Sequence, residues 1–168
     1  MTSVLFLSRM DSPLGNLWVI SDVNQLMGLF FRQAEMEDWL FRHHKSSRIK
    51  ESSDLPLLLD LKVQLKGYFN QNMRNFSLPL KLEGSPFQLR VWENLQKIPY
   101  GTTWSYQQLA RAVENPRAMR AVGSANGRNP IPIIIPCHRV IQKNGDIGGY
   151  SSGVAIKRWL LKHEGIIP

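Results

Sequence analysis

Beyond Cys137 the chain has no cysteine. A lone thiol cannot close an intramolecular disulfide, run a dithiol redox cycle or share in a thiolate metal cage. Long apolar runs are missing as well. No stretch approaches the roughly 18 residues of a membrane span, and the apolar stretch from Met1 carries Arg9 behind it rather than a basic region ahead, unlike a signal peptide. The expectation is a soluble cytoplasmic protein with no membrane partner. His43 and His44 lie beside Lys45 and Arg48 with no cysteine or nearby carboxylate to complete a ligand set, so a solvated pair and no metal are expected.

Acidic residues are scarce in one half only. Residues 1 to 85 carry ten Lys or Arg against nine Asp or Glu, whereas residues 86 to 168 carry eleven against four, so nearly all of the +8 net charge sits with Cys137. A basic half around the lone thiol points to a polyanionic partner, of which nucleic acid is the obvious candidate.

What is present divides the chain at about residues 76 to 85, giving an N-terminal α/β domain over 1–84 and a C-terminal domain over 85–168. A 168-residue chain with 43% apolar content has enough core for one or two compact lobes. Val4 to Ser8, Leu17 to Ser21 and Leu26 to Phe31 are β-type runs separated by turn formers, Asp11-Ser12-Pro13 with Gly15-Asn16 and then Asp22 to Asn24. They predict a small antiparallel sheet. Leu55 to Phe69 has apolar residues at 58, 61, 65, 68 and 69, a helical spacing that would lay one face on that sheet. The fold class is α/β (α+β), with a mostly helical C-terminal lobe.

That lobe opens with Ser85 as cap, Pro86 at the first helical position and Gln88 completing a capping box, and Pro99 stops the helix. Ser105 with Gln108 starts a second helix in the same way. Asn115 and Pro116 would start a third, running from Arg117 to about Ala125. The last two make a helix-turn-helix pattern. Ala118, Ala121, Gly123, Ser124, Ala125 and Gly127 are small, while Arg117, Arg120 and Arg128 are long and cationic. Such a helix suits close approach to a DNA backbone and minor groove with weak sequence preference. The same small residues would equally serve helix packing.

Free cysteine is most often a small buried hydrophobe, but the flanks of Cys137 argue for chemistry. It ends a run from Asn129 to Pro136 whose three prolines cannot serve in a central strand, and it adjoins His138 and Arg139, two sources of the positive field that favours thiolate. If this segment is extended, His138 points away from Cys137.

Arg120-Ala121-Val122-Gly123, Asn129-Pro130, Ile135-Pro136-Cys137-His138-Arg139-Val140-Ile141 and Gly148-Gly149-Tyr150 together resemble the O6-alkylguanine-DNA alkyltransferase family. Phe87-Gln88, Val91-Trp92, Ile98 to Thr102, Ser105-Tyr106, Leu109-Ala110, Trp159-Leu160 and His163-Glu164-Gly165 extend the match over half the chain. The resemblance implies a suicide repair protein that rotates O6-alkylguanine out of double-stranded DNA and moves the alkyl group to its own Cys137, with O4-alkylthymine as a second expected substrate. It implies that Arg120 fills the gap in the stack and that Tyr106 crowds the neighbouring phosphate and protonates the departing guanine. It further implies that His138 acts through a water and is oriented by Glu164, that Asn129 braces the turn before the cysteine, and that Val140, Tyr150 and Ser151 line the base pocket. No cofactor is implied, and a monomer is expected. Ser152 stands where a glycine often follows the Tyr-Ser pair, which bears on the mobility of the pocket loop. No cysteine-rich domain for sensing methyl phosphotriesters accompanies it, so a transcriptional role is not expected. Two rivals differ in kind: a regulator would read bases and leave Cys137 as packing, and a Cys-His hydrolase would turn over repeatedly without a DNA-binding helix pair.

Overall fold

The computed structural model describes residues 3–168; Met1 and Thr2, with which the amino-terminal reading begins, lie outside the described residues. The chain separates into two compact units, Met1–Leu82 and Glu83–Pro168.

In the first unit, β1 (Val4–Ser12) and β2 (Gly15–Ser21) are longer than their apolar runs because the turn between them is tight. Ser12 supports it from both sides, donating its hydroxyl to the Gly15 carbonyl at 2.7 Å and accepting from Leu14 N at 3.1 Å. Asp22 closes the next turn by accepting from Asn24 N and Gln25 N at 2.8 Å each, an Asx geometry. β3 (Leu26–Phe30) follows and is buried along its whole length. These three strands are antiparallel as the alternation predicts. The sheet nevertheless has a fourth member that was not expected: β4 (Arg48–Glu51) pairs parallel with β1, giving the order β3-β2-β1-β4. All four of its residues are exposed, so no apolar alternation marks it, and its charges suit an edge strand that must resist further pairing.

A helix that the pattern reading also passed over, α1 (Gln33–His43), precedes β4. Met36, Trp39 and Leu40 lie at helical spacing and pack on Leu5, Ile20, Met27 and Phe30 of the sheet. His44 stands 4.7 Å from the Trp39 ring, centroid to centroid, so it is half-buried on an aromatic and only His43 is exposed as expected. α2 (Pro56–Phe69) starts one residue after the predicted boundary, with Pro56 in its first turn, and buries Leu58, Leu61, Leu65 and Tyr68 as the spacing predicts. Gln64 shares that face, and its amide exchanges hydrogen bonds of 2.8 and 2.9 Å with the Ser77 backbone.

In the second unit both capping boxes form. Ser85 and Gln88 cap α3 (Pro86–Leu95) with reciprocal bonds of 3.2 and 2.9 Å, and Ser105 and Gln108 cap α4 (Tyr106–Ala112) at 3.1 and 2.7 Å. Between them Trp104–Ser105 forms β5, a two-residue strand parallel to β6 (Val140–Ile141). The third helix, α5 (Met119–Gly127), begins two residues later than predicted and has Ala118 as its cap. Asn115 closes a separate turn, its carbonyl accepting from Ala118 N at 2.9 Å. Pro116 therefore stiffens the turn of the helix pair instead of opening the helix. α3 and α5 are joined through Trp92, whose Nε1 donates to the Ala125 carbonyl at 2.8 Å in the interior. α6 (Val154–His163) completes the unit. Among the described residues no helix is long and apolar enough to cross a membrane.

Candidate active site

Asn129 to Pro136 is irregular, and every residue from Pro130 to Val140 is buried. With three prolines lacking donors, the segment is held by a few bonds: Ile135 N reaches the Ile131 carbonyl at 2.9 Å, and the Asn129 amide spans the loop, accepting from Ile131 N at 3.0 Å and donating to Ile135 O at 2.8 Å. Ile133 has φ of 73°, a left-handed conformation that a β-branched residue adopts only when its surroundings impose it. Cys137 N then bonds back to Ile135 O at 2.8 Å, and Cys137–Arg139 forms one 3₁₀ turn. The condition of an extended segment is therefore not met at Cys137 and His138. At three residues per turn, consecutive side chains diverge by about 120° rather than 180°, which separates the Cys137 thiol from His138 and Arg139.

The thiol is 4% exposed. Its Sγ lies 3.5 Å from the Tyr150 hydroxyl, and Asn126 Nδ2 donates to the Cys137 carbonyl at 3.3 Å. Burial raises its pKa; hydrogen bonding from Tyr150 and Asn129 and the charge of Lys157 work in the opposite direction. The positive field thus comes from Lys157, not from the two adjacent residues expected to supply it.

His138 and Arg139 converge instead on Glu164, which begins the turn after α6. His138 Nε2 is 2.7 Å from Glu164 Oε1, Arg139 Nη2 donates to the same oxygen at 3.0 Å, and Arg139 Nε donates to Oε2 at 2.9 Å. Gly101 N adds a bond to Oε2 at 3.2 Å, and Arg139 Nη1 donates to the Ile98 carbonyl at 2.6 Å. Burial opposes ionisation of Glu164, but the hydrogen bond from His138 and the hydrogen bonds and charge of Arg139 override it and hold the carboxyl down to about 2. His138 is driven down by its own burial, against the attraction of Glu164, and is neutral. Its Nδ1 is buried without a hydrogen-bond partner among the described residues, so the ring is fixed at one nitrogen and free to take a proton at the other.

An open cleft of about 430 Å³ brings the helix pair to the cysteine segment. Tyr106, Met119, Arg120, Gly123, Asn126 and Gly127 line one side, and Gln142, Gly149, Tyr150 and Ser151 the other. Tyr150 and Asn126 are the links to Cys137, since each lines the cleft and bonds that residue. Tyr106 is half-buried, and its pKa is raised by burial and then by the Cys137 charge. Gly123 faces the Tyr106 ring, where an added Cβ would stand at 3.7 Å.

Of the other residues named from sequence, Arg117, Arg120, Ala121, Ser124 and Arg128 are exposed, and Ala118 is half-buried. The small residues divide between the two roles considered for them: Ala125 packs inside, while Ala121 and Ser124 face solvent. Val140 does not line the cleft. It is fully buried and pairs with Trp104 in the two-stranded ladder. Ser152 is buried beside the loop it was expected to modulate.

Three participants escaped the sequence reading: Arg139 as the partner of Glu164, Asn126, and above all Lys157. The last is 0% exposed, with Nζ donating to Val140 O at 2.6 Å and Gly149 O at 3.2 Å. A signal was available, because Lys157 falls on the inward face of α6 with Leu160, Leu161 and Glu164, where a lysine is out of place.

Comparison with known proteins agrees with this geometry. A family model described as 6-O-methylguanine DNA methyltransferase, DNA binding domain, matches residues 86–166, and one described as 6-O-methylguanine DNA methyltransferase, ribonuclease-like domain, matches residues 5–82. The constitutive methylated-DNA–protein-cysteine methyltransferase of Bacillus subtilis is 43% identical over 157 residues, covering 93% of this chain and 93% of its own. The methylated-DNA–protein-cysteine methyltransferase of Salmonella typhimurium is 40% identical over 166 residues, covering 95% of each. The crystal structure of Mycobacterium tuberculosis OGT in complex with DNA superimposes with a TM-score of 0.82 at 36% identity, covering 98% of this chain and 95% of that one.

Proposed function

Because the chain belongs to the 6-O-methylguanine DNA methyltransferase family, we infer that it repairs DNA by taking an alkyl group from O6 of guanine onto Cys137. The observation that carries this reading is a buried thiol bonded to the wall of a cleft that a helix-turn-helix lines, with a neutral histidine braced by an ionised glutamate behind it.

A base edge inside the stack cannot meet the sulfur in line, so the damaged nucleotide leaves the duplex and enters the cleft. Arg120, exposed at the cleft rim on α5, fills the gap in this reading. Arg117, Ala118, Ala121, Gly123, Ser124 and Arg128 give α5 and its flanks a narrow, basic surface for the DNA backbone. Tyr150 and Ser151 hold the base from the loop side, with Tyr106 opposite. Residues 1–84 serve as a structural domain in this reading, and residues 85–168 carry the chemistry.

The Cys137 proton passes to His138 Nδ1 through a water, and Glu164 stabilises the imidazolium that forms. The sulfur lone pair forms the S–C bond while the C–O6 bond breaks. The electrons leave on guanine, and the Tyr106 hydroxyl returns a proton to it; the raised pKa of Tyr106 keeps that proton in place beforehand. The thioether is a poor leaving group and no second thiol stands by to remove it, so each molecule reacts once.

Intact-protein mass after mixing with excess duplex containing one O6-methylguanine tests the reading, with Cys137→Ala in parallel. One methyl on each wild-type molecule and none on the variant supports it. An unchanged wild-type mass with DNA still bound would leave a lesion binder or regulator.

A further inference from the structure

A fully buried lysine ordinarily has a carboxylate beside it, and Lys157 has two neutral carbonyls. Glu164, the buried carboxylate of this region, is saturated by His138, Arg139 and Gly101. α6 packs Lys157 toward the turn that carries Cys137, His138 and Arg139. Arg139 is neutralised by Glu164, and the positive charges of Arg139 and Lys157 both help keep His138 neutral. Tyr150 contacts Cys137 itself. Of the groups facing Lys157 from this turn, Cys137 alone can supply a negative charge.

We propose that Lys157 is a positioning residue for the transfer: it ties the Gly149 wall of the cleft to the cysteine segment at Val140 and is the counter-charge that allows Cys137 to exist as a thiolate. This rests on the alkyl-transfer reading of the cleft and assigns the stabilisation of the thiolate, once His138 has taken the proton, to a residue 20 positions away. The coupling runs both ways. Burial lowers Lys157 to about 8, and the Cys137 charge is what holds it up; burial raises Cys137, and the Lys157 charge opposes that. Each charge therefore favours the other. Conversion of Cys137 to a thioether removes the anion and leaves the ammonium with carbonyls only, so the alkylated protein sheds the Lys157 proton more readily and the tie across the cleft weakens.

Two measurements test this without alkylated DNA, so a failure of methyl uptake would refute the repair reading separately. In the first, the lysine side chains are labelled with ¹³C at Cε and titrated by NMR in wild type and in Cys137→Ser, with Lys157→Arg identifying the resonance. Lys157 should titrate near 8 in wild type and at lower pH in Cys137→Ser; the same midpoint in both would overturn the proposal, and this comparison leaves Lys157 itself untouched. In the second, thiolate absorbance at 240 nm is titrated in wild type, Lys157→Met and Lys157→Arg, with Cys137→Ala as the blank. The midpoint should rise in a folded Lys157→Met and return toward wild type in Lys157→Arg, each unit of movement cutting the thiolate fraction at pH 7 about tenfold. A folded Lys157→Met with an unmoved midpoint would reduce Lys157 to packing.

Discussion

Replacing Glu164 by glutamine keeps shape and removes one charge from a site with four donors. Oε2 accepts from Arg139 Nε and Gly101 N, and Oε1 from His138 Nε2 and Arg139 Nη2. A carboxamide nitrogen at the Oε2 position would oppose two donors, so it must take the Oε1 position, where it loses Arg139 Nη2 and can be satisfied only if His138 accepts through Nε2. That moves the His138 proton to Nδ1, the nitrogen that must be free to receive one. The energetic cost can be reached by two routes. The carboxyl is lowered from 4.5 to about 2, and at about 1.4 kcal/mol per unit this is about 3 kcal/mol of native-state stabilisation. Removing one partner of a buried pair independently costs about 3 to 5 kcal/mol. At roughly 2 to 4 °C per kcal/mol for a chain of this size, Glu164→Gln should melt on the order of 10 °C below wild type at pH 7 by calorimetry. The sign of the pH dependence follows from the lowered pKa: the stabilisation is complete above the unfolded value near 4.5 and is lost as pH falls toward 2. The gap between the two chains should hold from pH 7 to about 5 and close below that. Burial lowers His138 in the folded wild type, so its protonation on unfolding subtracts stability as pH falls. Single-turnover alkyl transfer should fall on the order of 100-fold, as for loss of a general base. Melting within 2 °C of wild type, with parallel pH curves, would refute the argument.

Other outcomes follow from the same geometry. Methylated protein should melt below the free form, because a methyl added to a thiol that is 4% exposed overfills its site by about 1 to 3 kcal/mol; equal melting temperatures would contradict this. Arg128→Ala should weaken DNA binding similarly on all sequences and reduce the slope of log K against log salt by about 1, read by fluorescence anisotropy across a salt series. Ser105→Ala removes the capping box of α4 and should cost about 1 kcal/mol in urea denaturation, with no change in methyl uptake per folded molecule.

How far the sequence could be read depended on how local each signal was. Ser85 with Gln88 and Ser105 with Gln108 were legible because a capping box closes within three residues. The α2 face was legible because its apolar residues repeat at helical spacing. The start of α5 was misplaced because Asn115-Pro116 signals a turn and a helix start with the same residues, and which one forms depends on how α5 docks. β4 carried no signal because an exposed charged edge has no alternation. Resemblance to a family connected His138 with Glu164, but spacing alone offers nothing across 26 residues.

The chain's own sequence determined the absence of a second thiol, the basic half, the helix pair with its two capped starts, and the stiff proline segment ending at Cys137. Each is a property of composition or of neighbours along the backbone. Tertiary structure alone decided that Arg139 serves Glu164 rather than the thiol, that Val140 pairs in a ladder instead of lining the cleft, and that Lys157 stands as the buried charge near Cys137. The physical reason is burial: which charges lose their water, and which opposite charge each then meets, depends on distances in space between residues that no local pattern relates.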